Sequence, residues 1–257
     1  MKYLKARVNK LLAKYDYIIT RRSVLYELKR SNIYHKFGFH YGERIFERFV
    51  TYVQFSKSQL KQDLFVLSEF NFKRNGFFVE FGATDGYHLS NTWLLENEFG
   101  WKGILAEPAL CWHKDLHLNR KVIIDKRFVW AESKKSLHFK ETKYAELSTL
   151  SAIDEVDEHI DSRREYNSYY VETVSLEDLL CSNNAPNEID YLSIDTEGSE
   201  YTILENFNFE KYKIKIITVE HNYTANREKI YDLLISKGYK RKLEALSQFD
   251  DWYILEK

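Results

Sequence analysis

From Phe77 onward the chain alternates short apolar runs with longer amphipathic stretches. The runs are GFFVEFG (76–82), GILAEP (103–108), KVIID with RFVWA (121–131), IDYLSID (189–195) and IKIITVEHN (214–222). Each is rich in β-branched or aromatic residues and is followed by a stretch with helical spacing. Strands buried on both faces read as continuous apolar runs, so the pattern predicts a parallel sheet with helices on both sides. The end of the chain, GYKRKLEALSQFDDWYILEK, predicts a hairpin with strands near Tyr239–Leu243 and Asp251–Leu255. Ahead of the core, Leu4, Val8, Leu11, Leu12 and Tyr15 have helical spacing, and Leu60, Leu64, Val66 and Leu67 suggest a second helix. The expected organisation is an N-terminal helical extension (1–70) and one α/β domain (71–257). A polar segment at about 133–170, containing LSTLSAI (147–153), reads as an insertion in that domain.

Composition changes this picture in two places. The 257 residues are 44% hydrophobic and 30% charged with a net charge of −1, which excludes a strongly basic nucleic-acid binder. Residues 1–30, however, carry nine Lys and Arg against Asp16 and Glu27, a local +7. That segment is either a solvated helix face or a contact for a membrane surface, a polyanion or a second subunit. Cys111 and Cys181 stand alone, which argues against a zinc site or a disulfide framework and suits a reducing, cytoplasmic setting. No apolar run reaches the roughly 18 residues of a membrane span.

In an open α/β sheet, ligands bind beyond the carboxyl ends of the strands. The first such loop is Glu80-Phe81-Gly82-Ala83-Thr84-Asp85-Gly86, where the glycines allow sharp turning and close approach. Glu107 ends the second run, where a carboxylate accepts hydrogen bonds from a ribose diol. These features point to a nucleoside-containing cofactor. A dinucleotide fold wants G-x-G-x-x-G, and this loop lacks it while placing Glu80 and Asp85 where a diphosphate would lie. A nicotinamide-dependent oxidoreductase is therefore the weaker reading. Acids suit a cationic ligand, and S-adenosylmethionine is one. A noncatalytic module binding cofactor and polyanion is the reading from outside enzymology.

The blocks FVEFGATDGYHLSNTWLLENEFGWKGILAEP (78–108), IDYLSIDTEGSEYTILENF (189–207) and ITVEHN (217–222) resemble the FkbM family of S-adenosylmethionine-dependent methyltransferases. The resemblance implies a Rossmann-like class I methyltransferase: a seven-stranded, mostly parallel sheet with an antiparallel C-terminal strand. It implies that Glu80, Gly82, Ala83, Asp85 and Gly86 form the methionine loop. Ser90, Asn91 and Thr92 would then open the next helix toward the carboxylate, with Glu107 on the ribose, Pro108 at the adenine edge and Val129 against the adenine. The implied acceptor is a hydroxyl or decoration of a bacterial surface glycan or its precursor, such as a capsular polysaccharide. Segments 1–70 and 133–170 fall outside these blocks.

Methyl transfer needs the acceptor and the methyl aligned within about 3–3.5 Å and a route for the acceptor proton. Asp195, Glu197 and Glu200 follow one strand, and Glu220, His221 and Asn222 follow the next. Two roles stay open there. His221 is a candidate general base, and Asp195, Glu220 and Asn222 are candidate oxygen ligands for Mg²⁺ or Mn²⁺. His88 lies inside the cofactor block. The remaining histidines lack metal-ligand spacing.

Overall fold

The computed structural model describes residues 37, 40–142, 149–150 and 166–256. The helix expected within residues 1–30, its basic charge, and most of the insertion lie outside the described residues. Two compact units are present. Of the described residues, one comprises those up to Ser56 together with Lys61–Lys73, and the other Lys57–Leu60 with those from Arg74 onward.

The smaller unit contains α1 (Glu43–Tyr52) and α2 (Gln62–Glu69). The second is the helix expected from Leu60, Leu64, Val66 and Leu67. Leu64, Phe65, Val66 and Leu67 are fully buried, and the Tyr41 hydroxyl donates to Glu69 at 2.6 Å. Phe37 packs on Phe49 with ring centroids 4.3 Å apart.

In the larger unit the predicted runs become β1 (Phe77–Phe81), α3 (Trp93–Phe99), β2 (Lys102–Ala106), α4 (His113–Asn119), β3 (Ile123–Asp125) and β4 (Phe128–Trp130). They continue as β5 (Ser136–Thr142), β6 (Thr149–Leu150), β7 (Tyr166–Ser175), α5 (Leu176–Ser182), β8 (Glu188–Ile194), α6 (Glu200–Glu205) and β9 (Lys213–Glu220). The last elements are α7 (Asn226–Ser236), β10 (Tyr239–Lys242), α8 (Glu244–Ser247) and β11 (Asp250–Leu255). Seven strands form one sheet in the order β10-β11-β9-β8-β1-β2-β3. β1 pairs in parallel with β2 and β8, and β8 with β9. β11 runs antiparallel between β9 and β10, so the C-terminal hairpin is present and forms one edge of the sheet, with β10 outermost.

Burial explains the apolar runs: Val79, Ile104, Leu192, Ile194, Ile217 and Val219 belong to one core with helix residues Leu179, Leu204 and Leu234. The order of strands reverses between β1 and β8, and the site forms beyond that point.

One run is placed differently from the sequence expectation. RFVWA does not extend the main sheet; β4 joins a second, four-stranded sheet in the order β4-β7-β5-β6. Its principal partner, β7, lies where the sequence reads as polar insertion. Tyr169, Val171 and Thr173 point inward while Ser168, Tyr170 and Glu172 point out, and Phe139 of β5 joins Phe128 and Val171 in a small core. This half-buried, period-two strand has no continuous apolar run to announce it.

Candidate functional site

The carboxyl ends of β1, β2, β8 and β9 enclose a cavity of about 470 Å³, within the range of small-molecule sites. Phe249 closes it from the start of β11, which reaches the same rim because that strand runs the opposite way. Of the predicted residues, Glu80, Gly82, Ser90, Asn91, Glu107, Pro108, Val129, Asp195, Glu220 and Asn222 line it, and so does His88. Ala83, Asp85, Gly86, Thr92 and His221 do not.

The loop after β1 is held by a buried cation that sequence reading missed. Arg120 follows α4 and is only 3% exposed. Its Nε donates to Glu96 at 2.5 Å, Nη2 to the Thr92 hydroxyl at 2.8 Å, and Nη1 to Ser90 Oγ at 3.1 Å and the Gly86 carbonyl at 3.2 Å. Nη1 also lies 3.5 Å from Glu80. Glu80 in turn accepts from the Asn91 N–H at 2.6 Å, Thr92 Oγ1 at 2.5 Å and Ser90 Oγ at 3.1 Å. Its carboxylate therefore closes the loop as an internal clasp.

Gly82 and Gly86 are required by this packing. Both have positive φ, and a Cβ on Gly82 would stand 1.9 Å from the Asp195 carbonyl oxygen, while one on Gly86 would meet Arg120 and Leu116. The Asp85 carboxylate caps the turn by accepting the N–H groups of Tyr87 and His88 at 2.8 and 2.7 Å. Helix capping falls to Ser90, whose oxygen accepts from the Trp93 N–H; Thr92 makes no side-chain cap. Asn91 donates to Ser193 Oγ at 2.9 Å, and its Oδ1 is buried without a partner.

Across the cavity, Glu107 is 4% exposed. One oxygen accepts from the Thr84 N–H and the other from the Ala109 N–H, both at 2.8 Å. Burial pushes its pKa up to about 7, against the lowering effect of those two bonds. Phe128, Val129 and Phe139 form the apolar wall beside it. Phe139 comes from the insertion, so that segment contributes to the cavity.

Beyond β8 and β9 stand the acids. Glu200 does not reach the cavity; it accepts from the Thr196 N–H, the Thr196 hydroxyl and the Gly198 N–H at 2.9–3.0 Å. That clasp presents Asp195 and Glu197. Ligand atoms of Asp195, Glu197 and Glu220 all lie within 4.8 Å of one another, so Glu197 joins the predicted ligands while Asn222 lines the same cavity. Burial raises Glu220 well above the usual carboxylate range, and the neighbouring Asp195 and Glu197 charges reinforce it. Asp195 is raised to about 6, chiefly by burial, while the hydrogen bond from Glu220 lowers it.

His221 requires a correction. It faces away from the cavity, 4% exposed, with Nδ1 accepting the Tyr223 N–H at 3.0 Å. That bond places the ring proton on Nε2, 3.8 Å from Asp251. Burial lowers its pKa in spite of Asp251. A ring so placed does not reach an acceptor proton in the cavity.

Two expectations follow. Arg120→Met leaves Glu80 and Glu96 without their cation and should cost about 3–5 kcal/mol of stability, measured as a lower urea midpoint at unchanged slope. A change within about 0.5 kcal/mol, the usual surface value, would contradict the clasp.

Glu107, Asp195 and Glu220 bind protons more tightly folded than unfolded. Their contribution is complete below the ordinary carboxylate values of 3.8–4.5; for Asp195 and Glu107 it is lost as pH rises through about 6 to 7, and for Glu220, raised well above the ordinary range, it is lost last. His221 opposes this: its contribution is present above 6.5 and is lost as pH falls below that value. Burial raises Glu200 in the same sense and lowers His113 as it does His221, and four carboxylates against two imidazoles predict that the ligand-free protein's urea midpoint declines from about pH 5 to about pH 8. A midpoint that climbs over that interval would contradict the buried-acid account.

The methyltransferase FkbM domain family matches residues 80–253. Among solved structures, a precorrin-6y C5,15-methyltransferase from Geobacter metallireducens GS-15 aligns at TM-score 0.41 and 10% identity, covering 75% of this chain and 84% of that one. A methyltransferase FkbM from Methylobacillus flagellatus KT aligns at TM-score 0.44 and 12% identity, covering 80% of this chain and 57% of that one. No curated protein matches in sequence. The family match spans most of the chain, including both strand ends that carry the acids and the loop that Arg120 clasps. The chain belongs to the FkbM family of methyltransferases.

Proposed function

We propose that this methyltransferase moves the methyl group of S-adenosylmethionine to a hydroxyl of a sugar in a surface glycan or its precursor. The observation that carries the reading is the division of one cavity into two ends. Glu107 and an apolar wall stand at one end, beyond β2, and the half-buried acids Asp195 and Glu220 stand at the other, beyond β8 and β9. When bound, the cofactor supplies an electrophilic methyl on a sulfonium centre.

Each oxygen of Glu107 already accepts one backbone N–H, which fixes the carboxylate and leaves lone pairs for the two hydroxyls of a ribose. Phe128, Val129 and Phe139 suit a flat purine. The unpartnered Asn91 Oδ1 supports a donor group of the ligand at the mouth of the clasped loop. Asp195 would take the acceptor proton, since its raised pKa brings it near the working pH. The trio Asp195, Glu197 and Glu220 also offers hard oxygen ligands that fit Mg²⁺ or Mn²⁺, which would polarise the acceptor hydroxyl.

Calorimetry with S-adenosylhomocysteine tests the first half. Glu107→Ala should weaken binding by about 1.5–3 kcal/mol, the worth of hydrogen bonds to a charged group; unchanged affinity would remove Glu107 from the ribose.

Turnover of labelled S-adenosylmethionine on surface-polysaccharide intermediates tests the second. Asp195→Asn should lose about 10²–10⁴ in rate while keeping its cofactor affinity. Full activity in that variant would exclude Asp195 as the base. EDTA that abolishes turnover, with rescue by Mg²⁺ or Mn²⁺, supports the cation; turnover indifferent to EDTA removes it.

A further inference from the structure

We propose that Tyr223 is the platform on which the acceptor ring lies, and that His221 is the positioning residue that holds it there. The proposal rests on the glycan reading above and names the residue that would position the sugar.

Tyr223 is 63% exposed, yet it lines the cavity. It sits in a turn whose backbone is held in an unusual state: Asn222 has φ 43° and Tyr223 has φ 56°, two successive non-glycine residues in the left-handed region. L-residues enter that region at a cost, so the surroundings must hold them there. The His221 and Asn222 N–H groups both donate to the Phe249 carbonyl, at 2.9 and 3.2 Å, and the Thr224 N–H donates to the His221 carbonyl at 2.8 Å. The Tyr223 N–H donates to His221 Nδ1 at 3.0 Å. The phenol ring stands edge-on to the imidazole, with centroids 5.3 Å apart at 75°. His221 is wedged against Asp251, which is itself tied by Arg227 at 3.0 Å.

The fold therefore spends local conformational freedom to present an aromatic ring to solvent, where the core gains little from it. Such strain points to function. Gln59, His88 and Asn222 line the same cavity, groups that can hydrogen-bond hydroxyls of a ligand there. An exposed aromatic face in a cavity that also holds hydrogen-bonding side chains suits a cyclic polyol, whose C–H side lies on the ring while its hydroxyls meet those side chains. Tyr223 is three residues from Glu220, so a ring stacked there borders the acid end of the cavity.

Saturation-transfer NMR tests this on the full chain saturated with S-adenosylhomocysteine. The probes are methyl glucoside, methyl galactoside, methyl mannoside and catechol. At least one glycoside should receive transfer at its ring C–H protons. Tyr223→Phe should keep it. Tyr223→Ala should weaken binding by about three- to tenfold, the range expected of an aromatic contact. His221→Ala should match Tyr223→Ala, and His221→Asn should restore binding, because the amide oxygen can replace Nδ1 as acceptor.

Calorimetry with S-adenosylhomocysteine should give the same affinity in all these variants. Equal glycoside binding by Tyr223→Ala and wild type overturns the platform and leaves the glycan reading standing. Silence from every glycoside, with or without a catechol response, overturns both. Lost S-adenosylhomocysteine affinity in Tyr223→Ala would assign the turn to the cofactor and overturn the proposal.

Discussion

A guanidinium buried at the end of α4 decides whether this protein has a binding loop at all. Arg120 ties Glu96 of α3, the Gly86 carbonyl, Ser90 and Thr92 to one point, with Glu80 of β1 beside it. Burying a charge is expensive unless every donor finds a partner. Here each nitrogen has one, and Glu80 is surrounded by donors in turn. Arginine suits the task because its planar fork serves several acceptors at fixed angles. The clasp shapes the loop from behind, which leaves the cavity side of Gly82, Ser90 and Asn91 open.

The rest of the site repeats this division between groups that hold backbone and groups that face the cavity. Glu200 knots the 195–199 turn so that Asp195 and Glu197 point inward. His221 supports the turn that carries Tyr223. Two backbone N–H groups fix Glu107. The acids left facing the cavity are costly in the ligand-free protein, as their raised pKa values show. A cationic ligand beside them offsets that cost, so the arrangement is more favourable loaded than empty.

Much of the fold was legible because buried parallel strands leave apolar runs that composition cannot hide. β1, β2, β8 and β9 fall where those runs fall, and Glu107 is recognisable as the acid ending the second. β7 was not, since it is half exposed and its inward residues are Tyr169, Val171 and Thr173 between polar ones. Arg120 was hidden in HLNRK, which reads as the solvated end of a helix. His221 illustrates a different limit. Residues at a strand end alternate sides, so with Glu220 and Asn222 lining the cavity, His221 between them falls on the far side. Applying that alternation would have separated the base candidate from the ligand candidates. The left-handed turn carrying Tyr223 leaves no such trace, because neither Asn222 nor Tyr223 is a glycine.

The central claim is that one cavity at the carboxyl ends of the strands holds the methyl donor with its sulfur turned toward the acids. A crystal structure of the complex with S-adenosylhomocysteine addresses it most directly. The account predicts both ribose hydroxyls on Glu107, the purine against Phe128, Val129 and Phe139, and the sulfur facing Asp195. A ribose bound away from Glu107, or a sulfur turned from Asp195, would contradict it.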